Sequence, residues 1–101
     1  MSLIHVNKEN FDKVANQNKA LIDFWAPWCM PCQMLTPVLE ELSEDKPDLV
    51  IAKVNVDEEP DLAIKFGINS IPCLMLFENG NLVNKSLGYM DKETLIKKLN
   101  L

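Results

Sequence analysis

Two cysteines stand three positions apart in "FWAPWCMPCQML", Phe24 to Leu35, with Trp28 just before them and Pro31 between. A pair this close can ligate a metal, staple a turn, or open and close as a redox couple. A zinc site needs four ligands, usually two such pairs, and the chain offers beyond this pair only Cys73 and a single histidine, His5. A purely structural staple gives no reason for an apolar Trp28 alongside. The position also speaks for redox chemistry. "ALIDFWA" (Ala20 to Ala26) reads as a strand and the residues after the cysteines as a helix, so Cys29 falls at or near the first turn of that helix. Free backbone N–H groups and the positive end of the helix dipole favour a thiolate there. Cys32 lies on the same face within disulfide reach, and Pro31 fits a first turn where its missing N–H costs nothing. Cys29 is therefore expected to be the exposed nucleophile and Cys32 the buried resolving thiol of a thiol–disulfide exchange.

The elements that must position this pair alternate along the chain. Leu3 to Val6 reads as a strand, followed by Asn7 as N-cap and a helix through about Asn16. Ala20 to Ala26 is apolar almost throughout, as a strand covered on both faces should be. Met34, Leu35, Val38, Leu39 and Leu42 recur at helical spacing until Lys46-Pro47, with Pro37 expected to kink that helix. Leu49 to Val56 is a strand and Glu59 to Phe66 a short helix ended by Gly67. "PCLMLFENGNLVNKSL" forms a hairpin turning at Asn79-Gly80, and Asp91 caps a last helix with Lys97 and Lys98 near its end. Helical crossovers imply parallel neighbours and the hairpin an antiparallel pair. The fold class is α/β: a mixed central sheet of about five strands flanked by about four helices, β-α-β-α-β-α-β-β-α.

With 101 residues the chain has room for one domain, spanning 1–101. A net charge of −5, without any arginine, disfavours nucleic acid. The clusters "EELSED" and "DEEPD" read as a solvated helix face and a helix start. No apolar stretch approaches bilayer length, and "MSLIHVNKENF" lacks a signal peptide's pattern, so a cytoplasmic monomer away from membranes is expected.

The segments "VNKENFDKV", "LIDFWAPWCMPC", "IAKVNVD", "FGINSIPCLMLFENG" and "SLGYMDKETL", in this order, resemble the thioredoxin family along essentially the whole chain. Asp23 is the odd residue of its strand, since a buried carboxylate is costly without a partner or a task. Either it lies at a sheet edge or pairs with Lys53, or it is a buried acid of raised pKa that handles the Cys32 proton. The resemblance implies the second, and matches Lys53 to the family's buried lysine. It further implies that Pro72 is the family's cis-proline facing the disulfide. Trp28, Val56, Ile71, Gly88 and Tyr89 would form the apolar rim on which partners dock, with Met30 and Pro31 between the cysteines meeting the same substrate. Trp25 is expected to pack beneath the site, and Phe24, Leu76 and Phe77 in the core.

Two residues depart from the family pattern. Met30 replaces the common glycine and adds a polarisable apolar side chain without positive charge. Oxidising relatives often carry a histidine in the dipeptide between the cysteines, so its absence argues for a reducing protein. Cys73 follows Pro72 where threonine is typical, and reads either as a small buried residue or as a third thiol able to trap Cys32 or help hold a soft metal. The implied function is a protein-disulfide reductase with no bound cofactor, re-reduced by a thioredoxin reductase (NADPH- or ferredoxin-dependent). The alternatives are an oxidase or isomerase, a non-catalytic binding subunit, and a metal-binding module.

Overall fold

Trp25 to Met30 leave the middle of a five-stranded sheet for its longest helix, and the rest of the fold fixes that junction. The computed structural model describes residues 3–101; Met1 and Ser2, which the single-domain reading includes, lie outside the described residues. The elements run β1 (Ile4–His5), α1 (Phe11–Ala15), β2 (Ala20–Trp25), α2 (Met30–Asp45), β3 (Val50–Asn55), α3 (Pro60–Lys65), β4 (Cys73–Glu78), β5 (Asn81–Leu87) and α4 (Lys92–Leu99). The strand order is β1-β3-β2-β4-β5. β3 runs parallel to both β1 and β2, while β4 is antiparallel to β2 and β5. The mixed sheet and its flanking helices are those read from the sequence.

β2 is central because it can be. Ala20, Leu21, Ile22, Asp23 and Phe24 are all fully buried, with alternate side chains feeding opposite faces. Ile22 and Phe24 join Phe11 and Val14 of α1 and Leu62 of α3 on one side. Phe66 ties that side together, with ring centroids 4.9 Å from Phe11, 5.8 Å from Phe24 and 6.0 Å from Phe77. Leu21 meets Leu35, Leu39 and Leu42 of α2 and Leu95 and Leu99 of α4 on the other. Asn79 and Gly80 both take positive φ, which gives β4–β5 the tight turn expected of Asn-Gly. Asp91 caps α4 by accepting the Thr94 N–H at 2.8 Å.

Three local expectations are corrected. Asn7 does not cap α1, which begins at Phe11 after Asn10. Asn7 and Asn10 instead exchange side-chain-to-backbone hydrogen bonds at 2.8 and 3.0 Å, closing a separate turn before the helix. β1 covers only Ile4–His5 of the expected four residues. Met34, assigned to the buried stripe of α2, is 52% exposed, because the stripe is set by Leu35, Leu39 and Leu42. Pro37 sits inside α2, which continues past it to Asp45.

Candidate active site

Cys29 is the N-cap of α2, with extended backbone angles (φ −90, ψ 109), and Pro31 lies in the helix's first turn. Its Sγ accepts the Cys32 backbone N–H at 3.3 Å, so sulfur takes the capping role that an Asn or Ser oxygen usually fills. That same N–H would stabilise a thiolate once the pair is reduced. Cys29 and Cys32 are joined as a disulfide with Cα atoms 5.2 Å apart. Cys32 is fully buried, but Cys29 is only 5% exposed, which corrects the expectation of an open nucleophile. The segment before β4 folds against it: the Ile71 carbonyl oxygen lies 3.8 Å from Cys29 Sγ. Ala26, Trp25, Val56 and Ile71 complete a small apolar cluster around the sulfurs.

The Ile71–Pro72 peptide is cis. The Pro72 carbonyl accepts the Gly88 N–H at 2.8 Å, and Gly88 holds φ +83, a conformation costly for any residue with a Cβ. Trp28 is 69% exposed, and its indole donates to Asp57 Oδ2 at 3.0 Å. Trp28, Val56 and Ile71 line one side of a shallow groove whose other wall is α3, including the exposed Ile64. Met30, at the start of α2, and Tyr89, after Gly88, are also exposed.

Asp23 lies neither at a sheet edge nor in an ion pair with Lys53, so both structural alternatives are overturned. It occupies the central strand, fully buried, in register with Lys53 of β3 and Leu74 of β4. Neither carboxylate oxygen finds a hydrogen-bond partner among the described residues. Burial raises its pKa from 3.8 to about 7, against the smaller opposing pull of the Lys53 charge. Lys53, itself buried, donates to Thr36 Oγ1 at 2.8 Å and stands 4.3 Å from the Trp25 ring centroid. Desolvation lowers the Lys53 pKa, partly offset by Asp23 and Glu40.

Cys73 is buried in the core on the α1–α3 side, away from the cluster that holds Cys29 and Cys32. Burial pushes its thiol pKa up. This packing is that of a small core residue. Among the described residues no group of three His, Cys, Asp or Glu side chains is placed to hold a metal ion. Two contributors escaped the sequence reading. Asp57 was absorbed into the acidic run before α3, and Thr36 carries no local signal beyond its position one turn after Cys32.

A closable dithiol at a strand-to-helix turn, bordered by a partly apolar surface, defines a thiol–disulfide oxidoreductase. Comparison with known proteins gives the family. A family model described as Thioredoxin matches residues 2–101. Thioredoxin from Bacillus subtilis is 41% identical over 101 residues, covering 99% of this chain and 97% of its own. That of Chlamydia caviae is 45% identical over 95 residues, covering 94% and 93%. A solved mutant thioredoxin from Halobacterium salinarum superposes with a TM-score of 0.88 at 36% identity, covering 99% of this chain and 93% of that one. The chain belongs to the thioredoxin family. It is an oxidoreductase acting on protein disulfides, with Cys29 and Cys32 as its redox-active pair.

Proposed function

We propose that this single domain works in the cytoplasm as an electron carrier from a thioredoxin reductase to protein disulfides, with Asp23 as its internal base. The observation that carries the reading is the Cys29–Cys32 disulfide with Cys29 capping α2. In the reduced protein the Cys29 thiolate attacks one sulfur of a target disulfide. A mixed disulfide forms and the target's other sulfur leaves as a thiolate. Asp23 takes the Cys32 proton, and the Cys32 thiolate attacks Cys29 Sγ. The Cys29–Cys32 disulfide re-forms, the second target sulfur departs, and two electrons have passed to the target. The reductase returns them, with NADPH or ferredoxin as the ultimate donor.

Each remaining site residue has a stated part in this scheme. Trp28, held by Asp57, and Val56, Ile71, Gly88 and Tyr89 form the docking rim. Met30 and Pro31 meet the substrate between the cysteines, and an extended target chain lies along the backbone at Ile71 and Pro72. Lys53 sets the charge near Asp23. The cysteines themselves hold the electrons, so no bound cofactor enters. No helix among the described residues is long and apolar enough to cross a membrane, which is consistent with this location.

Catalysed reduction of insulin by dithiothreitol tests the scheme. Cys29→Ser should abolish catalysis, and Cys32→Ser should stop at a stable mixed disulfide. Asp23→Asn should slow the second step by roughly 10²-fold near neutral pH. Full turnover by Cys29→Ser would overturn the scheme.

A further inference from the structure

Lys53 and Asp23 are register partners on adjacent central strands, and both are buried. A buried ammonium and carboxylate so placed would ordinarily close on each other, because each needs compensation for its lost water. They form no ion pair among the described residues, and both Asp23 oxygens are unpartnered. The ammonium is turned instead toward α2, 2.8 Å from Thr36 Oγ1 and over the Trp25 ring. The Thr36 hydroxyl can serve both its neighbours at once. Its single proton goes to the Cys32 carbonyl oxygen, 3.4 Å away, and its lone pairs remain free to accept from Lys53. Thr36 thus links the resolving cysteine's own backbone to Lys53, the cation that acts on Asp23 among the described residues.

We propose that Thr36 is a positioning residue for the second step of the dithiol reaction: its hydroxyl tethers the Lys53 ammonium to α2 and so keeps the Asp23 carboxyl unpaired and able to take the Cys32 proton. The inference rests on the reading of Asp23 as the internal base. Its physical content is a competition for one cation. An aspartate closed onto a lysine holds its negative charge too well to accept a proton near neutrality, whereas an unpaired buried one accepts it readily. With the hydroxyl removed, the acceptors left to the ammonium include the Asp23 carboxylate, in register on the adjoining strand and already acting on it by charge.

The charged and titratable groups around Asp23 are few. β3 supplies Lys53, on which Glu40 of α2 also acts. β4 supplies Cys73, whose thiol sits on the other side of the sheet and responds to Asp23 and to Lys85 of β5. α4 presents Leu95 and Leu99 to this side of the sheet.

The test follows the Asp23 carboxyl carbon by NMR across pH in the oxidised protein, where neither active-site cysteine titrates. Thr36→Val keeps the β-branched shape and loses the acceptor; Thr36→Ser keeps the acceptor. The Asp23 midpoint should fall by about one pH unit or more in Thr36→Val and return to the parent value in Thr36→Ser. In a Lys53→Met background the same Thr36→Val change should move nothing. An unmoved or higher midpoint in Thr36→Val would overturn the tether, as would a shift that persists in the Lys53→Met background. The reading beneath it fails separately: a parent-like rate of Cys32 attack in Asp23→Asn would remove the proton-transfer role, whatever the Thr36 variants do to the midpoint.

Discussion

Replacing Asp23 by asparagine should make the oxidised protein more stable at neutral and alkaline pH while leaving its stability in acid nearly unchanged. The carboxyl is fully buried, and its pKa rises from 3.8 to about 7 on folding, with desolvation as the first cause. The folded state therefore holds the proton over a range in which the unfolded chain has released it. Stability contributed by the protonated group is complete below about 4 and is lost as pH rises through 7. A shift of about three units at 1.36 kcal/mol per unit corresponds to ~4 kcal/mol. Asparagine keeps the shape and cannot ionise, so its stability should be flat across this window apart from contributions common to both proteins. Lys53 acts in the opposite sense: its pKa is lowered by burial, so stability rises with pH between the lowered value and 10.5. The comparison accordingly ends at pH 8. Urea unfolding of both oxidised proteins at pH 4 and pH 8 reads the effect. The gap between them should widen by about 4 kcal/mol in favour of the variant. A gap that changes by less than ~1 kcal/mol would mean that Asp23 ionises in the fold almost as it does in water, and the internal-base reading would lose its physical ground.

Further outcomes are expected elsewhere in the site. Cys73→Thr should leave insulin reduction and oxidation products unchanged, since Cys73 packs on the face of the sheet away from the active pair; an altered set of disulfides by mass spectrometry would count against this placement. Asp57→Ala frees the Trp28 indole, and losing one hydrogen bond of about 1 kcal/mol should lower kcat/KM for a protein disulfide roughly fivefold, without changing the reaction with a small disulfide. Gly88→Ala forces a Cβ onto a backbone at φ +83 and should destabilise the fold by about 1–2 kcal/mol in urea unfolding, although the space beside Gly88 is open.

The sequence is most legible where burial imposes a pattern on neighbouring residues. Ala20 to Phe24 reads as a two-sided strand because both faces are covered, and Leu35, Leu39 and Leu42 mark the one helix face that meets the sheet. Asn79-Gly80 and Asp91 are legible for a different reason: a turn and a cap are set by residues within three positions of each other. What escapes notice depends on chain segments far apart. Cys29 reads as exposed because nothing near it in sequence covers it; the Ile71 segment, 42 residues on, does. Asp57 looks like one more acid until Trp28 is folded onto it. Asn7 is a local exception: it and Asn10 exchange hydrogen bonds in a turn of their own, and the helix begins only after Asn10. Pairing with Lys53 was one alternative reading of Asp23, and the two residues do stand opposite each other in register. In the fold the Lys53 ammonium instead donates to Thr36, on a different element.

The reduction potential of the Cys29/Cys32 couple, measured by equilibration against a defined thiol buffer, bears most directly on the claim that this chain donates electrons to protein disulfides. A value near the roughly −270 mV typical of thioredoxin is expected, low enough to reduce most accessible target disulfides. A value in the range of roughly −180 to −120 mV, where isomerases and oxidants lie, would contradict it and reverse the direction of electron flow assigned here.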